Sequence, residues 1–415
     1  MRRKKRKYLL PFLFICLLIV ILGVVFTAIE LTKPSKTEKT QEMESPHVLV
    51  PRETEIRAVW VNYMELSMKG ADCSREAFLK KAKEITQNLC TSGMNTVILQ
   101  VRPFCDAFYP SAYFPWTAYL TGTQGEGVDY DPLTIFLDCA KGAGLFVEAW
   151  LNPYRISKNV DFSLLAPNHP VRCWQESGNV EPILRCDAGL YLQPASLTAQ
   201  KLILDGVREL VKNYPVDAIH IDDYFYPTNA QTIDEAQYQA YLARGGTLSL
   251  SDYRRANVND LLSAMYAAIQ AIRPEVLLVV SPSGNIEHNE NTLYADVKKW
   301  GRENGYCDVL MPQLYYGFQH PKKPFQSSAL AWAELCQNPS VKLCYGLGAY
   351  KCGTADAQSE WMHEDTILAR QLDFCRTLPN YTGVAFYGYT NIYLSPNNEI
   401  MKKEWKNLEN MLQCR

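Results

Sequence analysis

Two segments of the chain place carboxyl groups where a hydrolase could use them. One reads His-Ile-Asp-Asp-Tyr-Phe-Tyr-Pro over residues 220–227, and the other, over residues 146–153, contains Glu148. Hydrolysis of a glycosidic bond commonly requires two carboxyl groups, one protonated as the acid and one ionised as base or nucleophile. Asp222 is therefore the first candidate for a catalytic residue, and Glu148 or Asp106 is the candidate for its partner.

Glu148 and Asp222 fall in neighbouring predicted strands, which lie about 4.8 Å apart in a sheet, so their carboxyl groups could approach each other. Two close carboxylates separate their pKa values, which leaves one of them protonated near neutral pH. Arg102 could instead pair with Glu148 and remove it from the chemistry. Asp222 could form a buried ion pair with Arg102 or Arg155. Asp106, in the loop after the second strand, could bind substrate hydroxyls.

Other catalytic chemistries have weaker support in the sequence. His220 and Asp222 have the i,i+2 spacing of metal ligands on a strand, but the chain holds six histidines and none falls in the first predicted strand. The chain contains no CxxC, GxSxG, GxGxxG or GxxxxGK[ST] motif, which argues against a zinc knuckle, a serine nucleophile and a nucleotide site. We therefore predict neither a metal nor a cofactor.

Short apolar runs alternate with longer helical patterns over residues 54–415. The predicted strands are 56–62, 96–102, 145–152, 218–224, 277–281, 309–315, 343–347 and 383–387. The predicted helices are 75–92, one that begins at Asp131–Pro132, 199–214, 253–272, 292–300, 327–336, 365–376 and 401–412. Eight strands, each followed by a helix, predict a single closed (β/α)₈ TIM-type barrel of α/β class. A doubly wound open sheet is the alternative.

In such a barrel, chemistry is carried by inward-pointing side chains at the C-terminal ends of the strands. Strand side chains alternate with period two, so polar residues near the strand ends define the inward parity. The predicted inward residues are Trp60, Asn62, Gln100, Arg102, Glu148, Trp150, Asn152, His220, Asp222, Tyr224, Ser281, Ser283, Gln313 and Tyr315. Asp223 has the opposite parity and is predicted to face the barrel wall, where its carboxylate would accept backbone N–H bonds.

Aromatic residues also concentrate at or just beyond the predicted strand ends. Such rings suit sugar stacking, although a packed barrel top would have the same composition. The predicted substrate-binding residues are Trp60, Asn62, Gln100, Arg102, Trp150, Asn152, Arg155, His220, Asp223, Tyr224, Tyr226, Gln313, Tyr315, Tyr316 and Tyr387.

The N-terminus has the pattern of an uncleaved signal anchor. Residues 1–7 are rich in Arg and Lys, and residues 8–29 form a nearly uninterrupted apolar stretch. As a helix, that stretch would be about 33 Å long, enough to cross the hydrocarbon core of a bilayer. The positive-inside rule leaves residues 1–7 in the cytoplasm, with a stalk at 30–53 and the catalytic domain at 54–415 outside. Secretion after signal cleavage is the alternative.

Composition narrows the class of partner. The chain has 415 residues, 47% of them hydrophobic, with 42 basic and 44 acidic side chains. Because six of the basic residues lie within 1–7, the remainder is mildly acidic and a poor polyanion binder. We predict a polysaccharide partner, a membrane contact through the N-terminal helix and no nucleic acid.

The thirteen cysteines give limited information. An exported domain permits disulfides. Cys173 with Cys186, and Cys344 with Cys352, are close pairs that flank loops and are the candidates, whereas most of the others fall on apolar faces.

Five stretches carry a resemblance to a known family: Arg-Ala-Val-Trp-Val at 57–61, Gln-Val-Arg-Pro at 100–103, Ala-Trp-Leu-Asn-Pro-Tyr-Arg at 149–155, His-Ile-Asp-Asp-Tyr-Phe-Tyr-Pro at 220–227 and Met-Pro-Gln-Leu-Tyr-Tyr at 311–316. In this order they resemble the glycosyl-hydrolase-like family 10, over almost the whole of residues 56–393. The resemblance implies a TIM-type barrel, a retaining or inverting glycosidase, and a substrate like the peptidoglycan strands without stem peptides on which members act. Members often carry histidine where this chain has Glu148, so the resemblance favours Asp222, which matches the family's carboxylate after the fourth strand.

The leading hypothesis is therefore an envelope-anchored glycoside hydrolase that acts on a cell-wall polysaccharide. In it, Asp222 is an acid/base or nucleophile, Glu148 or Asp106 is its partner, and polar side chains at the mouth bind the sugar hydroxyls. One alternative is a barrel of the envelope that binds carbohydrate, or serves as a scaffold, without chemistry. A metal-dependent deacetylase or amidase is a third hypothesis.

Overall fold

The computed structural model describes residues 55–355 and 359–413. The basic tail at 1–7, the apolar anchor at 8–29 and the stalk at 30–53 lie outside the described residues, so those assignments stay predictions. Within the described ranges, no helix combines the length and the apolar character that a membrane span requires.

Eight parallel strands form a closed barrel, as the sequence predicts. We label them β1 Ile56–Val61, β2 Thr96–Arg102, β3 Phe146–Leu151, β4 Ala218–Ile221, β5 Leu277–Val280, β6 in the two pieces Val309–Leu310 and Gln313–Leu314, β7 Lys342–Leu347 and β8 Tyr381–Phe386. Each strand pairs with the next in sequence, and β8 pairs with β1 to close the barrel, with Ile56 opposite Gly383. The open-sheet alternative is therefore wrong.

A helix follows each strand. These are α1 Arg75–Thr91, α2 Pro132–Gly142, α3 Leu197–Asn213, α4 Leu250–Ile272, α5 Val297–Trp300, α6 Phe325–Leu335, α7 Ile367–Cys375 and α8 Glu399–Gln413. Side-chain oxygens of Ser74, Asp131 and Ser196 accept backbone N–H bonds at the starts of α1, α2 and α3. Such caps satisfy N–H groups that have no partner within the helix, so they fix where each helix begins.

The predicted helix over 292–300 is broken. A π-helical turn, Asn289–Leu293, ends at Tyr294, which has a φ of 53°, and α5 begins only at Val297. A residue in the left-handed conformation interrupts a right-handed helix, so the periodic pattern of the sequence does not produce one continuous element here.

The barrel encloses a small inner core that is separate from the layer between strands and helices. The inner core comprises Ile56, Ala58, Trp60, Ile98, Trp150, Ala218, Val279, Val309, Met311, Cys344 and Ala385. Val101, Val147, Ile219 and Ile221, which have the opposite parity, belong to the larger outer core. The period-two assignment of these residues is therefore confirmed.

The loops at the mouth carry elements that the sequence patterns did not predict. After β3, the segments Arg155–Ser157, Ile183–Cys186 and Gly189–Leu192 form a three-stranded antiparallel sheet, which we call the accessory sheet. The other additions are the helices Tyr63–Leu66, Ala118–Thr121, Pro170–Glu176, Glu235–Ala243, Ile286–His288, Glu360–His363 and Tyr389–Tyr393, and the 3₁₀ turns Phe162–Leu164 and Ala349–Lys351.

Neither candidate disulfide forms. Cys173 and Cys186 are thiols that contact different backbone oxygens, those of Pro167 and Gly189. Cys352 is a buried thiol, which excludes its predicted bridge to Cys344.

Candidate active site

Asp222 lies just beyond β4 in a buried polar cradle. The residue is 3% exposed. Its Oδ2 accepts hydrogen bonds from Trp150 Nε1, at 2.8 Å, and from Asn152 Nδ2. Its Oδ1 accepts the Tyr224 backbone N–H at 3.3 Å. The carboxyl group is therefore held in one orientation by donors from β3, from the turn after β3 and from its own loop.

Burial dominates the titration of Asp222. Together with the neighbouring charge of Asp223, the second-largest cause, burial raises the pKa of the carboxyl group from 3.8 to about 8. The hydrogen bond from Trp150, the backbone N–H of Tyr224 and the positive charge of Arg155 act in the opposite direction. The carboxyl group is therefore mostly protonated at pH 7, the state that a general acid requires.

Asp223 faces the mouth, so its predicted orientation towards the wall is wrong. β4 ends at Ile221, and strand alternation no longer applies two residues later. The Asp223 carboxyl group bonds to the Gln313 side chain and to its own backbone N–H, and burial raises its pKa. Two carboxyl groups from consecutive residues thus share the site, and the charge of either one disfavours ionisation of the other.

Glu148 lies deep inside the barrel, away from Asp222. Its Oε2 is 2.8 Å from His220 Nδ1, and both side chains are fully buried. In the register of β3 with β4, Glu148 lies opposite Ala218, four residues before Asp222. Four residues of strand span about 13 Å along the backbone, and the two carboxyl groups bond to different partners, so the predicted Glu148–Asp222 pair is wrong. Neighbouring strands bring two side chains together only when they also lie at the same depth.

His220 connects Glu148 to the ring of Trp60. Trp60 Nε1 donates to His220 Nε2 at 3.3 Å, while Nδ1 faces Glu148. This network assigns the proton to Nδ1 and leaves Nε2 as an acceptor. His220 and Asp222 therefore bond to different partners and do not converge as the metal hypothesis would need.

Arg102 points out of the barrel, against the prediction. The pairing of β2 with β3 shifts register between Gln100 and Arg102, which places Arg102 opposite Leu151 of the outer core. Such a β-bulge reverses the side that the following side chain faces. The Arg102 guanidinium lies 4.6 Å from the centroid of the Phe114 ring, and the residue is 1% exposed. Arg102 therefore does not face the mouth, and the geometry does not support its predicted role in substrate binding. The ion pairs predicted for Arg102 do not form among the described residues.

Asp106 occupies a separate buried position in the loop after β2. The residue is 2% exposed, and its Oδ2 accepts a hydrogen bond from Gln124 Nε2 at 3.1 Å. Burial raises its pKa to about 6, against hydrogen bonds from Gln124 and Thr117. Within residues 55–355 and 359–413, no hydrogen bond joins Asp106 to Asp222, so the structure does not bring these two candidates together as a pair.

Gln100 and Asn152 orient the acid, whereas Asn62 has a structural bond. Gln100 Nε2 donates to Asn152 Oδ1 at 2.7 Å, and Asn152 in turn donates to Asp222. Asn62 Oδ1 accepts the Met64 backbone N–H at 2.8 Å and caps the helix Tyr63–Leu66. The side-chain oxygen of Asn62 thus stabilises the loop after β1.

Three rings form one side of the mouth. Tyr315 and Tyr387 stack with centroids 5.8 Å apart, and both make T-shaped contacts with Trp60. Tyr350, which was not among the predicted residues, packs edge-on against both tyrosines. Because Tyr350 lies only three residues beyond β7, the same criterion of an aromatic residue after a strand end would have found it.

Tyr226 and Tyr316, two aromatic residues predicted to bind substrate, lie outside the mouth. Tyr226 is fully buried, with its ring 5.3 Å from Tyr294 in the outer core. Tyr316 packs against the same outer core, with its ring 5.2 Å from His320. Tyr224, in contrast, is 39% exposed at the rim, beside Arg155.

Arg155 completes the rim. Its guanidinium carbon lies 4.6 Å from the centroids of both the Phe104 and Tyr224 rings. The sequence analysis included Arg155 and Tyr224 but not Phe104, although Phe104 lies two residues after the end of β2.

A closed (β/α)₈ barrel with two adjacent carboxyl groups at its C-terminal mouth, one buried and one half-buried, defines a glycosidase-type site. Residues 55–363 match the family described as glycosyl hydrolase-like 10. The chain is 32% identical over 367 residues to glycosyl hydrolase YngK of Bacillus subtilis (strain 168). This alignment covers 82% of the chain and 69% of YngK. It is 31% identical over 318 residues to glycosyl hydrolase DigH of Escherichia coli (strain K12), which covers 71% of this chain and 72% of DigH.

A solved structure shares the fold. The glycoside hydrolase domain of PgaB (BpsB) from Bordetella bronchiseptica aligns with a TM-score of 0.55 and 12% identity, over 85% of this chain and 99% of that domain. The protein belongs to the glycosyl hydrolase-like 10 family and is a glycoside hydrolase, as the sequence predicts.

Proposed function

We propose that this protein hydrolyses O-glycosidic bonds in a cell-wall polysaccharide, the glycan strands of peptidoglycan, outside the cytoplasm. The observation that carries the proposal is Asp222, a buried carboxyl group whose pKa is raised to about 8 beside a second carboxyl group and a wall of aromatic rings.

In the proposed reaction, Asp222 gives its proton to the glycosidic oxygen as the bond to the leaving sugar breaks. Asp223 is the ionised partner, which stabilises the positive charge that develops on the sugar ring or activates the attacking group. Its bond with Gln313 holds that carboxylate in the mouth. The two groups titrate as a pair, so ionisation of Asp223 keeps Asp222 protonated.

The aromatic rings and the expected location support the choice of substrate. Tyr315 and Tyr387 are half-buried and Tyr224 is exposed, so sugar rings can stack at the mouth. The apolar stretch at 8–29, preceded by basic residues, would hold the barrel on the outer face of the membrane, where it meets the wall. The resemblance to a family whose members act on strands without stem peptides points to the same polymer.

The test uses the full-length protein, purified in mild detergent, with peptidoglycan strands that carry or lack stem peptides. Mass spectrometry reads the products of the wild type, of Asp222→Asn and of Asp138→Asn. Asp138 is an exposed residue of α2 and provides a matched control. We expect short oligosaccharides from the wild type and Asp138→Asn, and intact strands with Asp222→Asn.

Intact strands in every reaction would contradict the proposed substrate. Saturable strand binding without new reducing ends, unchanged in Asp222→Asn, would instead support the alternative of a carbohydrate-binding barrel.

A further inference from the structure

We infer that Arg155 forms a binding site at the mouth for a carboxylate carried by the sugar substrate, an inference that rests on the proposed function. The site consists of the Arg155 guanidinium between the Phe104 and Tyr224 rings. No role of this chemical kind follows from the fold or from the acid pair alone.

The backbone fixes the root of the Arg155 side chain. Arg155 is the first residue of the accessory sheet, three residues after Asn152, and its backbone pairs with Tyr191. The preceding carbonyl, of Tyr154, accepts the Leu192 backbone N–H at 2.7 Å. The guanidinium therefore projects from a hydrogen-bonded segment rather than from an unsupported loop.

The two rings fix the other end of the side chain. The guanidinium carbon lies 4.6 Å from the centroid of the Phe104 ring and 4.6 Å from that of the Tyr224 ring, which belong to the loops after β2 and β4. Cation–π contacts with two rings restrict where the guanidinium can lie without providing an oxygen acceptor for its N–H donors. The donors are thus held ready for a planar acceptor.

Those donors have no acceptor among the described residues. Arg254 shows the opposite arrangement, because its guanidinium makes two bonds to Asp234 and others to Tyr294 and to backbone oxygens. A half-buried guanidinium that two rings hold in place, and whose donors have no acceptor, can bind a carboxylate through two parallel bonds.

Arg155 also lies close enough to Asp222 for its charge to act on that carboxyl group. A carboxylate bound to Arg155 would therefore belong to a sugar at or next to the bond that is cleaved. In a wall strand, the group of this chemistry is the lactyl carboxylate of muramic acid. A stem peptide converts that carboxylate to a neutral amide, so Arg155 would favour strands from which the peptide has been removed. Uronic acids are a second source of sugar carboxylates.

The test measures binding by full-length Asp222→Asn, so that turnover does not interfere. The ligands are muramic-acid oligosaccharides with a free lactyl carboxylate, the same oligosaccharides as methylamides, glucuronic-acid oligosaccharides and neutral chitin oligosaccharides. Arg155→Gln is added to this background, and Arg185→Gln, an exposed arginine of the same accessory sheet, is the matched control.

We expect the free lactyl form to bind about 10- to 100-fold more tightly than its methylamide, the range for a hydrogen-bonded charge pair. Arg155→Gln should abolish this ratio, and Arg185→Gln should preserve it. A ratio near one in the parent, or an unchanged ratio in Arg155→Gln, would overturn the carboxylate site. An Arg155-dependent preference shown only by the glucuronic-acid ligands would support the site and assign its ligand to uronic acids.

Failure of the site and failure of the proposed function are distinguishable, because binding ratios are read without cleavage. Arg155→Lys keeps the charge but not the planar guanidinium, so it should retain only part of the preference. If Arg155→Gln weakened the binding of all four ligands equally, and the Lys variant kept no preference for the free lactyl form, the arginine would have only a structural role. That result would contradict the inference.

Discussion

At the scale of single residues, the role of each carboxyl group depends on where in the barrel it is buried. Asp222 is buried against Trp150 and Asn152, and Asp223 reaches Gln313 from the adjacent position. Glu148, although a carboxyl group on an inward-facing position, is bonded to His220 inside the barrel. Carboxyl groups therefore have different roles at different depths of one barrel.

The pH dependence of activity follows from the pair. Because the acid must be protonated, kcat/KM should fall as the pH rises through about 8, the pKa of Asp222. Asp223→Asn should lose most of the activity, because it removes the ionised partner. It also removes the negative charge that raises the pKa of Asp222, so the alkaline limb of the residual rate should move to lower pH. Initial rates across pH 5–10 would check this, and an alkaline limb that moves upward in Asp223→Asn would contradict the pairing.

The same carboxyl group should make stability depend on pH. The folded protein keeps a proton on Asp222 up to pH about 8, whereas the unfolded chain loses it near the ordinary value of 3.8. Because only the unfolded chain ionises this group between these pH values, the stability of the fold decreases progressively as the pH rises from about 4 to about 8. Asp222→Asn should raise Tm relative to the wild type more at pH 8 than at pH 4. Asp138→Asn is the control, and an equal effect of Asp222→Asn at both pH values would contradict the burial argument.

Glu148 should prove structural. Glu148→Gln keeps an oxygen that can accept the His220 Nδ1–H and should retain activity. Glu148→Ala removes the acceptor of that N–H and should lower stability by about 1–3 kcal/mol. Parallel activity and urea-unfolding measurements would show the difference. Loss of activity in a folded Glu148→Gln variant would restore Glu148 as a catalytic candidate.

At the scale of elements, strand ends and loop insertions place the chemistry. β3 contributes Trp150, the turn after it contributes Asn152, and the accessory sheet contributes Arg155. The bulge in β2 turns Arg102 outward against α3, where Gly206 leaves room for it. A Cβ at Gly206 would lie 2.4 Å from the Phe114 ring and 2.9 Å from Arg102 Nη1.

Gly206→Ala should therefore destabilise the protein by about 1–3 kcal/mol, although alanine has the higher helix propensity, because overpacking outweighs propensity at this contact. Gly142→Ala, at the end of α2, meets no atom within 4 Å and should be neutral or stabilising. Thermal unfolding of the two variants checks the comparison. A Gly206→Ala protein as stable as Gly142→Ala would show that α3 does not pack as described.

At the scale of the whole molecule, hydrophobic patterning was sufficient for the barrel and insufficient for details of the mouth. Strand β2 has the predicted bounds, because its apolar run is followed directly by Pro103, which has no backbone N–H to donate to a neighbouring strand. Alternation failed at Arg102, where a bulge changes parity, and at Asp223, where the strand has already ended. Strand order also could not show that Glu148 and Asp222 lie at different depths, since register appears only when strands pair.

Location is a prediction at this scale. If residues 8–29 anchor the chain, the full-length protein should sediment with membranes, and protease added outside spheroplasts should digest the barrel. A chain that lacks residues 1–29 should leave the membrane fraction. Protection of the barrel from external protease, beside a digested periplasmic or surface marker, would contradict the proposed orientation.

The role of Asp222 as the acid of a glycosidase is tested most directly by comparing two leaving groups. The measurement is the cleavage rate of Asp222→Asn relative to the wild type, on a wall glycan strand and on an aryl glycoside of the same sugar whose phenol needs no protonation. We expect a loss of about 10²- to 10⁴-fold on the strand and a much smaller loss on the aryl glycoside. An Asp222→Asn protein that cleaves the strand at the wild-type rate would contradict the account.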